Sequence, residues 1–416
     1  MKIFIKNIKE LIQVEETPKE WVAGEEMSQL NTIQNAFLAI EDGIIVAFGE
    51  MKDWPGITDW RDLEVIDASG KMVFPSWVDS HTHLVFAAPR EGEFVDRING
   101  LTYEEIAAKG GGIVNSARKL ADADEETLYQ DAKARLEQVI AMGTGAIEIK
   151  SGYGLSFEAE LKMLRVVKRL KENSDAIIKA NFLGAHAIPT EYKDKREEYI
   201  DLIIGKMLPA IADEGLAEYI DVFCETNYFT PEETDKILAA GREHGLIPKI
   251  HVNQFTAIGG VQVGIKHDAL SVDHLEVMRP EDIEDLKGSK TMPTALPSCS
   301  FFIGIPYAPG REMIEAGLPL ALASDYNPGS TPSGNMNFVA ALGCIKMRLN
   351  PEQVINACTI NTAYAMGLSD QVGSIAIGKR ANVFITREIP SYGFIPYSFG
   401  DNVVETAILN GRIQGE

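Results

Sequence analysis

The sequence has few cysteines and no long uninterrupted apolar run. Its four cysteines, at positions 224, 299, 344 and 358, are widely spaced and form no CxxC pair, which argues against a zinc knuckle and a disulfide-built scaffold. The N-terminal run MKIFIKNIKELIQVEE breaks every apolar stretch with charges, so it contains neither a signal-peptide core nor a membrane helix of about 20 residues. We therefore expect reduced thiols, a cytoplasmic location and no membrane partner.

The chain also lacks an excess of basic residues. Lysine and arginine number 39 against 61 aspartates and glutamates, so the formal net charge is -22 over 416 residues. A surface of this sign repels nucleic-acid phosphates and anionic lipid head groups, and no local basic cluster offsets it. The apolar fraction of 45% and the charged fraction of 24% are those of an ordinary globular protein. These values argue against binding to nucleic acid and against a disordered or fibrous chain.

Both ends of the chain carry short β-type runs. The apolar residues between Ala36 and Phe48 flank Asp42-Gly43, and Asp-Gly between apolar runs predicts a hairpin. Strand-like segments over 381–386 and 404–409 lead to Asn410-Gly411, which predicts a second hairpin turn. The two ends could therefore share one sheet.

Between these ends, residues 72–370 alternate short apolar runs with amphipathic stretches such as Glu158 to Leu170, the pattern of repeated βα units. The strand candidates are residues 72–79, 143–149, 177–183, 219–224, 248–252, 269–274, 291–296 and 319–324. Eight such units in about 300 residues fit an α/β fold of the TIM type, a (β/α)8 barrel, better than an open sheet.

Histidines and an aspartate end several of these strands, at the face where barrel enzymes assemble their sites. His81 and His83 end the first strand, and residues two apart in an extended segment point to the same side. Such an HxH pair is weak evidence by itself. However, His251, His274 and Asp325 end strands five, six and eight. Several imidazoles and one carboxylate at one barrel mouth favour a Zn²⁺ or Fe²⁺ site.

The remaining histidines fall into two groups. His186 ends strand three and is expected to face the same barrel mouth. His244 and His267 lie in polar turns, so we interpret them as structural or solvated.

Several motifs resemble those of a known family. Residues 75–83, Pro-Ser-Trp-Val-Asp-Ser-His-Thr-His, resemble the metal-binding motif of the amidohydrolase superfamily. Others are similar to motifs of the imidazolonepropionase family: Gly110-Gly-Gly-Ile, Glu148-Ile-Lys-Ser-Gly-Tyr-Gly-Leu, Leu183-Gly-Ala-His-Ala-Ile-Pro, Asp221-Val-Phe-Cys-Glu and Ser324-Asp-Tyr-Asn-Pro-Gly-Ser. The resemblance implies a hydrolase barrel over residues 72–370 and a small composite β-sandwich domain formed by residues 1–71 and 371–416.

The resemblance implies hydrolysis of the cyclic amide of 4-imidazolone-5-propanoate to N-formimidoyl-L-glutamate, a step of histidine degradation. It implies one divalent metal per chain, Zn²⁺ or Fe, held by His81, His83, His251 and Asp325. Asp325 would also take the proton from the attacking water, and His274 would polarise the carbonyl or shuttle that proton. A homodimer acting on a small-molecule substrate with a carboxylate tail is implied as well.

The propionate tail of that substrate requires a clamp. Arg90 follows His83 by seven residues and can pair bidentately with a carboxylate. Relatives can carry glutamate at the position of Gln254. Because the amide of Gln254 can only hydrogen-bond, we assign this residue to substrate binding. The resemblance implies further substrate contacts from Tyr103, Tyr153, His186, Gln254, Asn327, Gly329 and Ser330.

Other functions remain open at this point. A mononuclear deaminase would use the same histidines and aspartate, although Arg90 and Tyr153 suit a carboxylate tail better than a neutral base. A dihydroorotase-like or hydantoinase-like enzyme would bridge two metals through a carboxylated lysine of strand four. Lys150 ends strand two instead, and strand four offers Cys224 and Glu225. A non-enzymatic relative would have lost a metal ligand, and none is missing.

Overall fold

The computed structural model describes residues 1–57, 61–102, 105–106 and 109–415. The strands are β1 (Lys2–Ile12), β2 (Thr32–Glu41), β3 (Ile44–Glu50), β4 (Leu63–Asp67), β5 (Lys71–Pro75), β6 (Trp77–Asp79), β7 (Thr144–Lys150), β8 (Ile177–Ala185), β9 (Tyr219–Cys224), β10 (Ile247–Pro248), β11 (Ile250–Val252), β12 (Ser271–His274), β13 (Met292–Ala295), β14 (Ala321–Leu322), β15 (Val383–Glu388), β16 (Val404–Leu409) and β17 (Arg412–Ile413). They form two separate sheets.

The α-helices are α1 (Glu91–Ile98), α2 (Gly112–Asp122), α3 (Glu125–Ile140), α4 (Phe157–Glu172), α5 (Arg196–Leu202), α6 (Leu208–Glu214), α7 (Pro231–Glu243), α8 (Gly260–Lys266), α9 (Pro280–Leu286), α10 (Pro297–Ile303), α11 (Gly310–Glu315), α12 (Met336–Ile345), α13 (Pro351–Cys358), α14 (Ile360–Tyr364) and α15 (Phe394–Tyr397). A π-helical turn, Ile203–Met207, joins α5 to α6, and short 3-10 helices lie at Gly24–Ser28, Met51–Asp53 and Thr190–Tyr192.

One sheet joins the two ends of the chain, as predicted. Its strand order is β17-β16-β15-β5-β1-β2-β3, and β4 also pairs with β1. Both predicted hairpins are confirmed. Asp42 and Gly43 have φ of 48° and 79°, and Asn410 and Gly411 have φ of 52° and 71°, the left-handed pair of values that a two-residue hairpin turn requires. An apolar cluster of its own stabilises this sheet, and it includes Ile5, Leu38, Val73, Val383 and Ile408.

The second sheet is the predicted barrel. Eight parallel strands follow the order β6-β7-β8-β9-β11-β12-β13-β14, and the short β10 pairs with β9. The first and last strands meet just beyond their ends, where Asp325 N–H donates to the His81 carbonyl at 3.0 Å and His83 N–H donates to the Tyr326 carbonyl at 2.8 Å. The segments that carry the predicted metal ligands therefore close the barrel.

The first predicted strand, residues 72–79, is divided between the two sheets. Lys71–Pro75 pairs with β1 and β15, whereas Trp77–Asp79 pairs with β7 in the barrel. The chain changes partners at Ser76, whose N–H donates to the Asn382 carbonyl at 2.8 Å. Because both halves are buried, the apolar pattern continues across the change and hides it. The division into domains at residues 71 and 370 stays a prediction.

Helices surround the barrel. The predicted amphipathic stretch Glu158 to Leu170 lies within α4, which begins after Ser156; the Ser156 hydroxyl accepts a hydrogen bond from Ala159 N–H at 3.4 Å. In α4 the residues Leu161, Leu164 and Val167 are buried. Within the described part of the chain, no helix has the length and apolar character needed to cross a bilayer.

Candidate active site

Two of the predicted metal ligands follow β6. His81 and His83 are buried, and Nδ1 of His81 lies 2.7 Å from Oδ2 of Asp273. Asp273 is fully buried, and this burial raises the pKa of its carboxyl despite the nearby Lys249 and Lys150. The opposite ring nitrogen, Nε2 of His81, is buried without a hydrogen-bond partner and lies 3.5 Å from Oδ1 of Asp325. A buried nitrogen in this position is suited to bind an ion.

His251 of β11 and Asp325 complete the predicted set. Nδ1 of His251 lies 3.0 Å from Oδ1 of Asp221, and its Nε2 lies 3.4 Å from Nε2 of His83. Nε2 of His83 lies 3.7 Å from Oδ1 of Asp325. The structure thus brings the four predicted ligands together, with imidazole nitrogens and a carboxylate oxygen facing one small space.

Ionisation favours metal binding by this cluster. Burial, together with the charges of Lys150 and His251, holds the pKa of His81 well below its usual value. The pKa of His83 is also held well below its usual value, by burial together with the charges of His186 and His251. Neutral imidazoles have the free lone pair that a metal requires, and a set of imidazoles with one carboxylate is chemically suited to zinc or iron. The residues present therefore fit a divalent ion.

His274 is close enough to belong to the cluster as well. Ligand atoms of His81, His83 and His251 lie within 4.8 Å of one another, and so do those of His81, His274 and Asp325. Nδ1 of His274 lies 3.3 Å from Oε1 of the buried Glu276. Burial alone would lower the pKa of His274, but Glu276, Asp325 and Asp273 outweigh it and raise the pKa above its ordinary value.

The backbone at two of these residues is strained. His274 has φ of 89° and Asp325 has φ of 56°, values that side chains other than glycine rarely adopt. Strain of this kind persists only where the surrounding structure enforces it, and it is concentrated at functional sites. Both residues follow strand ends at the barrel mouth, so the strain supports a functional assignment for this face.

A cavity of about 280 Å³ opens beside the cluster. The predicted site residues that line it are His83, Arg90, Tyr153, His186, His251, Gln254, His274, Asp325, Asn327, Gly329 and Ser330. His81 is fully buried and is not among the lining residues. Tyr103, also predicted as a substrate contact, lies outside the described residues. His244 is exposed, and His267 lies 2.7 Å from Asp235, so neither belongs to the cavity.

Arg90 is the predicted clamp, and it lies immediately before α1. Its Nη2 lies 3.4 Å from the Tyr153 hydroxyl, its Nη1 lies 3.6 Å from Oε2 of Glu93, and its side chain is 7% exposed. The guanidinium packs against Gly329 so closely that a Cβ on Gly329 would lie 2.2 Å from Cζ of Arg90. Glycine at position 329 is therefore required by the position of Arg90.

His186 and Gln254 lie on other sides of the cavity. Nδ1 of His186 lies 3.0 Å from the Gly152 carbonyl, which can only accept, so Nδ1 carries the hydrogen. Burial lowers the pKa of His186 to about 3, so the ring is neutral and its Nε2 is an acceptor. Nε2 of Gln254 lies 3.4 Å from Sγ of Cys299.

The loop after Asp325 is organised by Asn327. Its Oδ1 accepts from the N–H groups of Gly329 and Ser330, both at 2.8 Å, and its Nδ2 donates to the Asp325 carbonyl at 2.7 Å. The Ser330 hydroxyl donates to Oδ2 of Asp325 at 3.1 Å. These residues therefore fix the predicted metal ligand as well as lining the cavity.

Comparison with known proteins agrees with this geometry. The amidohydrolase family model matches residues 72–413. A relative from Flavobacterium johnsoniae is 62% identical over 99% of this chain and 100% of its own length, and one from Clostridium tetani is 42% identical over 99% and 97%; both are named imidazolonepropionase. The chain belongs to the imidazolonepropionase family of amidohydrolases. It is therefore a hydrolase of a metal-dependent superfamily.

Solved amidohydrolase structures share the fold. Guanine deaminase from E. coli superposes with a TM-score of 0.77 at 14% identity, covering 100% of this chain and 99% of that one. Atrazine chlorohydrolase from Arthrobacter aurescens, solved with zinc, gives a TM-score of 0.71 at 15% identity, with coverage of 100% and 95%. At these identities the likeness shows the barrel fold alone.

Lys150 and Glu225, the residues considered as bridges between two metals, form other contacts in the structure. Nζ of Lys150 is fully buried and donates to carboxylates of Glu148 and Asp221, the latter at 2.8 Å. Burial opposes the charge of Lys150, yet Asp221, Glu148 and Asp273 raise its pKa, so it is an ammonium. A carboxylated lysine would place another anion among these carboxylates. Glu225 accepts hydrogen bonds from the N–H groups of Phe255 and Thr256, which fix the loop carrying Gln254.

Several residues of the site were missed. Arg97 lines the cavity, and its Nη2 lies 3.5 Å from the Gly329 carbonyl. Its spacing of seven residues from Arg90 would have indicated the same face of a helix. Asp221 contacts His251, Asp273 contacts His81, and Glu276 contacts His274. Asp221 lies within β9, Asp273 directly precedes His274 in β12, and Glu276 follows His274 by two. Carboxylates on or beside the strands that carry predicted ligands were a signal that could have identified them.

Proposed function

We propose that this chain hydrolyses 4-imidazolone-5-propanoate to N-formimidoyl-L-glutamate in histidine degradation. The observation that carries the proposal is the shared cavity, which is lined by both the histidine-aspartate cluster and the Arg90 guanidinium. The cluster offers ligands for a metal that activates water, and Arg90 suits a carboxylate tail. Relatives of up to 62% identity over the full chain are named imidazolonepropionase, which supports the same substrate.

In this proposal His81, His83, His251 and Asp325 hold one divalent ion, Zn²⁺ or Fe²⁺. When bound, such an ion lowers the pKa of a water molecule from about 15.7 toward 7 and polarises a carbonyl. Asp273 and Asp221 fix the Nδ1 nitrogens of His81 and His251, so that Nε2 of each ring is directed to the ion.

The chain's own groups manage the protons of the reaction. Water adds to the ring carbonyl carbon, the ring C–N bond breaks, and a proton must reach the departing nitrogen. Asp325 accepts the proton of the water, and His274, fixed by Glu276, carries a proton toward that nitrogen or polarises the carbonyl. The raised pKa of His274 supports this role, because a protonated imidazole is the required acid.

In this proposal the propionate tail and the ring of the substrate contact cavity residues other than the metal ligands. Arg90, supported by Tyr153, pairs with the propionate, and Tyr103 is proposed to join them. The Nε2 acceptor of His186 faces a ring N–H, and Gln254 hydrogen-bonds the ring. Asn327, Gly329 and Ser330 contact substrate and product.

Gly329→Ala is expected to displace this clamp while leaving the fold intact. The added Cβ would lie 2.2 Å from Cζ and Nη2 of Arg90, the flexible end of a side chain that can move away. Misplacing a binding group lowers catalytic efficiency by up to about 100-fold. We therefore expect KM to rise by about 10- to 100-fold. Gly205→Ala, where a Cβ meets nothing within 4 Å, is the matched control for steady-state kinetics. An unchanged KM would mean that Arg90 does not hold the tail in this position.

We further propose a cytoplasmic homodimer that binds neither nucleic acid nor membrane. The net charge of -22 and four free cysteines support the location and the exclusion of these partners, whereas the dimer rests on the family resemblance alone. Sedimentation analysis of the purified chain tests the dimer, and a single monomeric species would contradict it.

The deciding experiment follows the absorbance of fresh 4-imidazolone-5-propanoate with the metal counted per chain. We expect turnover with one ion per chain and loss of turnover after chelation, restored when Zn²⁺ or Fe²⁺ is returned. Guanine and a dihydropyrimidine test the deaminase and the other cyclic amidohydrolases in parallel. No imidazolone turnover at full metal occupancy would overturn the proposed substrate.

A further inference from the structure

Lys150 connects the supports of two metal ligands that lie on different strands. Its Nζ donates to Oδ2 of Asp221 at 2.8 Å, and the other oxygen of that carboxylate contacts Nδ1 of His251. The same Nζ lies 3.7 Å from Oδ2 of Asp273, the atom that contacts Nδ1 of His81. The side chains of all three connecting residues are fully buried. One ammonium therefore lies between two carboxylate-imidazole pairs.

We propose that Lys150 is a positioning residue for the metal centre. It holds the Asp221 and Asp273 carboxylates in the orientation that fixes the rings of His251 and His81, and thereby sets how tightly the chain retains its ion. This inference rests on the metal-dependent hydrolase of the proposed function and assigns a role to a residue that touches neither ion nor substrate.

The charges beneath the barrel mouth explain why an ammonium is needed there. Glu148, Asp221 and Asp273 bring three carboxylates into a fully buried space, and Lys150 and Lys249 are the lysines that contact them. Lys249 pairs with Glu148 and donates to the Ser80 carbonyl at 3.0 Å. Of these two lysines, Lys150 forms ion pairs with both aspartates, whereas the charge of Lys249 acts on Asp273 from beside Glu148. Without Lys150 the two carboxylates lose the cation that they share, and their repulsion is strong in a medium of low dielectric constant.

The position of Lys150 also predicts what it does not affect. It does not line the cavity that holds Arg90 and Tyr153. A change at Lys150 should therefore weaken metal retention while leaving the KM of fully loaded enzyme close to that of the wild type. Changing a residue that bound substrate would instead raise KM and leave metal retention unaltered.

The first test replaces the ammonium by an apolar chain of similar length. For Lys150→Met we expect the metal dissociation constant, measured for Zn²⁺ by competition with a chelator, to rise by about 10- to 100-fold, the usual cost of losing a partner that orients a ligand. Lys379→Met is the matched control, because Lys379 is also buried but donates to Val372 and Ser374 in the C-terminal segment. It should lower thermal stability without changing metal affinity.

A second variant keeps the test decisive if Lys150→Met does not fold. The double variant Lys150→Met/Glu148→Gln removes one charge of each sign and is compared with Glu148→Gln alone. We expect weaker Zn²⁺ binding in the double variant, by about tenfold or more. Equal affinity in the two proteins, or in Lys150→Met and wild type, would overturn the inference. Failure of the wild type itself to bind Zn²⁺ would instead overturn the proposed function.

Discussion

Replacing His274 with alanine is expected to lower kcat by about 10²- to 10⁴-fold while the metal stays bound, the range usually lost with a general acid or base. The proposed ligands, three imidazoles and the Asp325 carboxylate, are unchanged in this variant. Nδ1 of His81 keeps its contact with Asp273, and Nδ1 of His251 keeps its contact with Asp221. The measurements are turnover of the imidazolone and metal content per chain.

The control for this variant is another histidine with a carboxylate partner. His267 lies 2.7 Å from Asp235, outside the cavity, so His267→Ala should leave turnover unchanged. If His274→Ala loses the metal, then His274 is a ligand, as its distance to His81 and Asp325 would allow. If turnover is retained with the metal bound, the proton passes through another group.

The barrel and the convergence of the candidate metal ligands at its mouth could be predicted because their signals are local. Each strand is a short apolar run, and a residue that ends a strand of a parallel barrel must lie at its mouth. His81, His251 and Asp325 are therefore placed by the strand assignment alone. The hairpins at Asp42-Gly43 and Asn410-Gly411 are equally local, because the turn residues determine them.

The support beneath these ligands could not be predicted, because it depends on the closed barrel. Lys150 and Asp221 are 71 residues apart in the chain, and they meet only after β7 to β9 have paired. The sequence argued against Lys150 as a bridging carbamate only through its place at the end of strand two, and its carboxylate neighbours are a second reason that only the structure shows. The close approach of Arg90 to Gly329 could not be predicted either, because the two residues are far apart in the chain.

Arg90→Ala should lower kcat/KM by about 10²-fold, mainly through KM. Arg90 is the predicted partner of the propionate, its side chain is only 7% exposed, and it lies at the end of the cavity lined by Tyr153 and Gly329. Truncating one member of a buried charge pair costs about 2 to 5 kcal/mol, and about 3 kcal/mol corresponds to that factor. Arg165→Ala, which removes an exposed pair with Glu214, is the control.

A substrate without the tail separates a clamp from a structural role for Arg90. If the guanidinium binds the propionate, wild type and Arg90→Ala should process an imidazolone that lacks the tail at the same low rate. If Arg90 instead positions Tyr153 and α1, the variant should be slower on both substrates. Arg90→Lys adds a further distinction, because a lysine supplies the charge without the planar pair of donors and should recover only part of the loss. Full recovery by lysine would show that charge alone, rather than a bidentate contact, binds the tail.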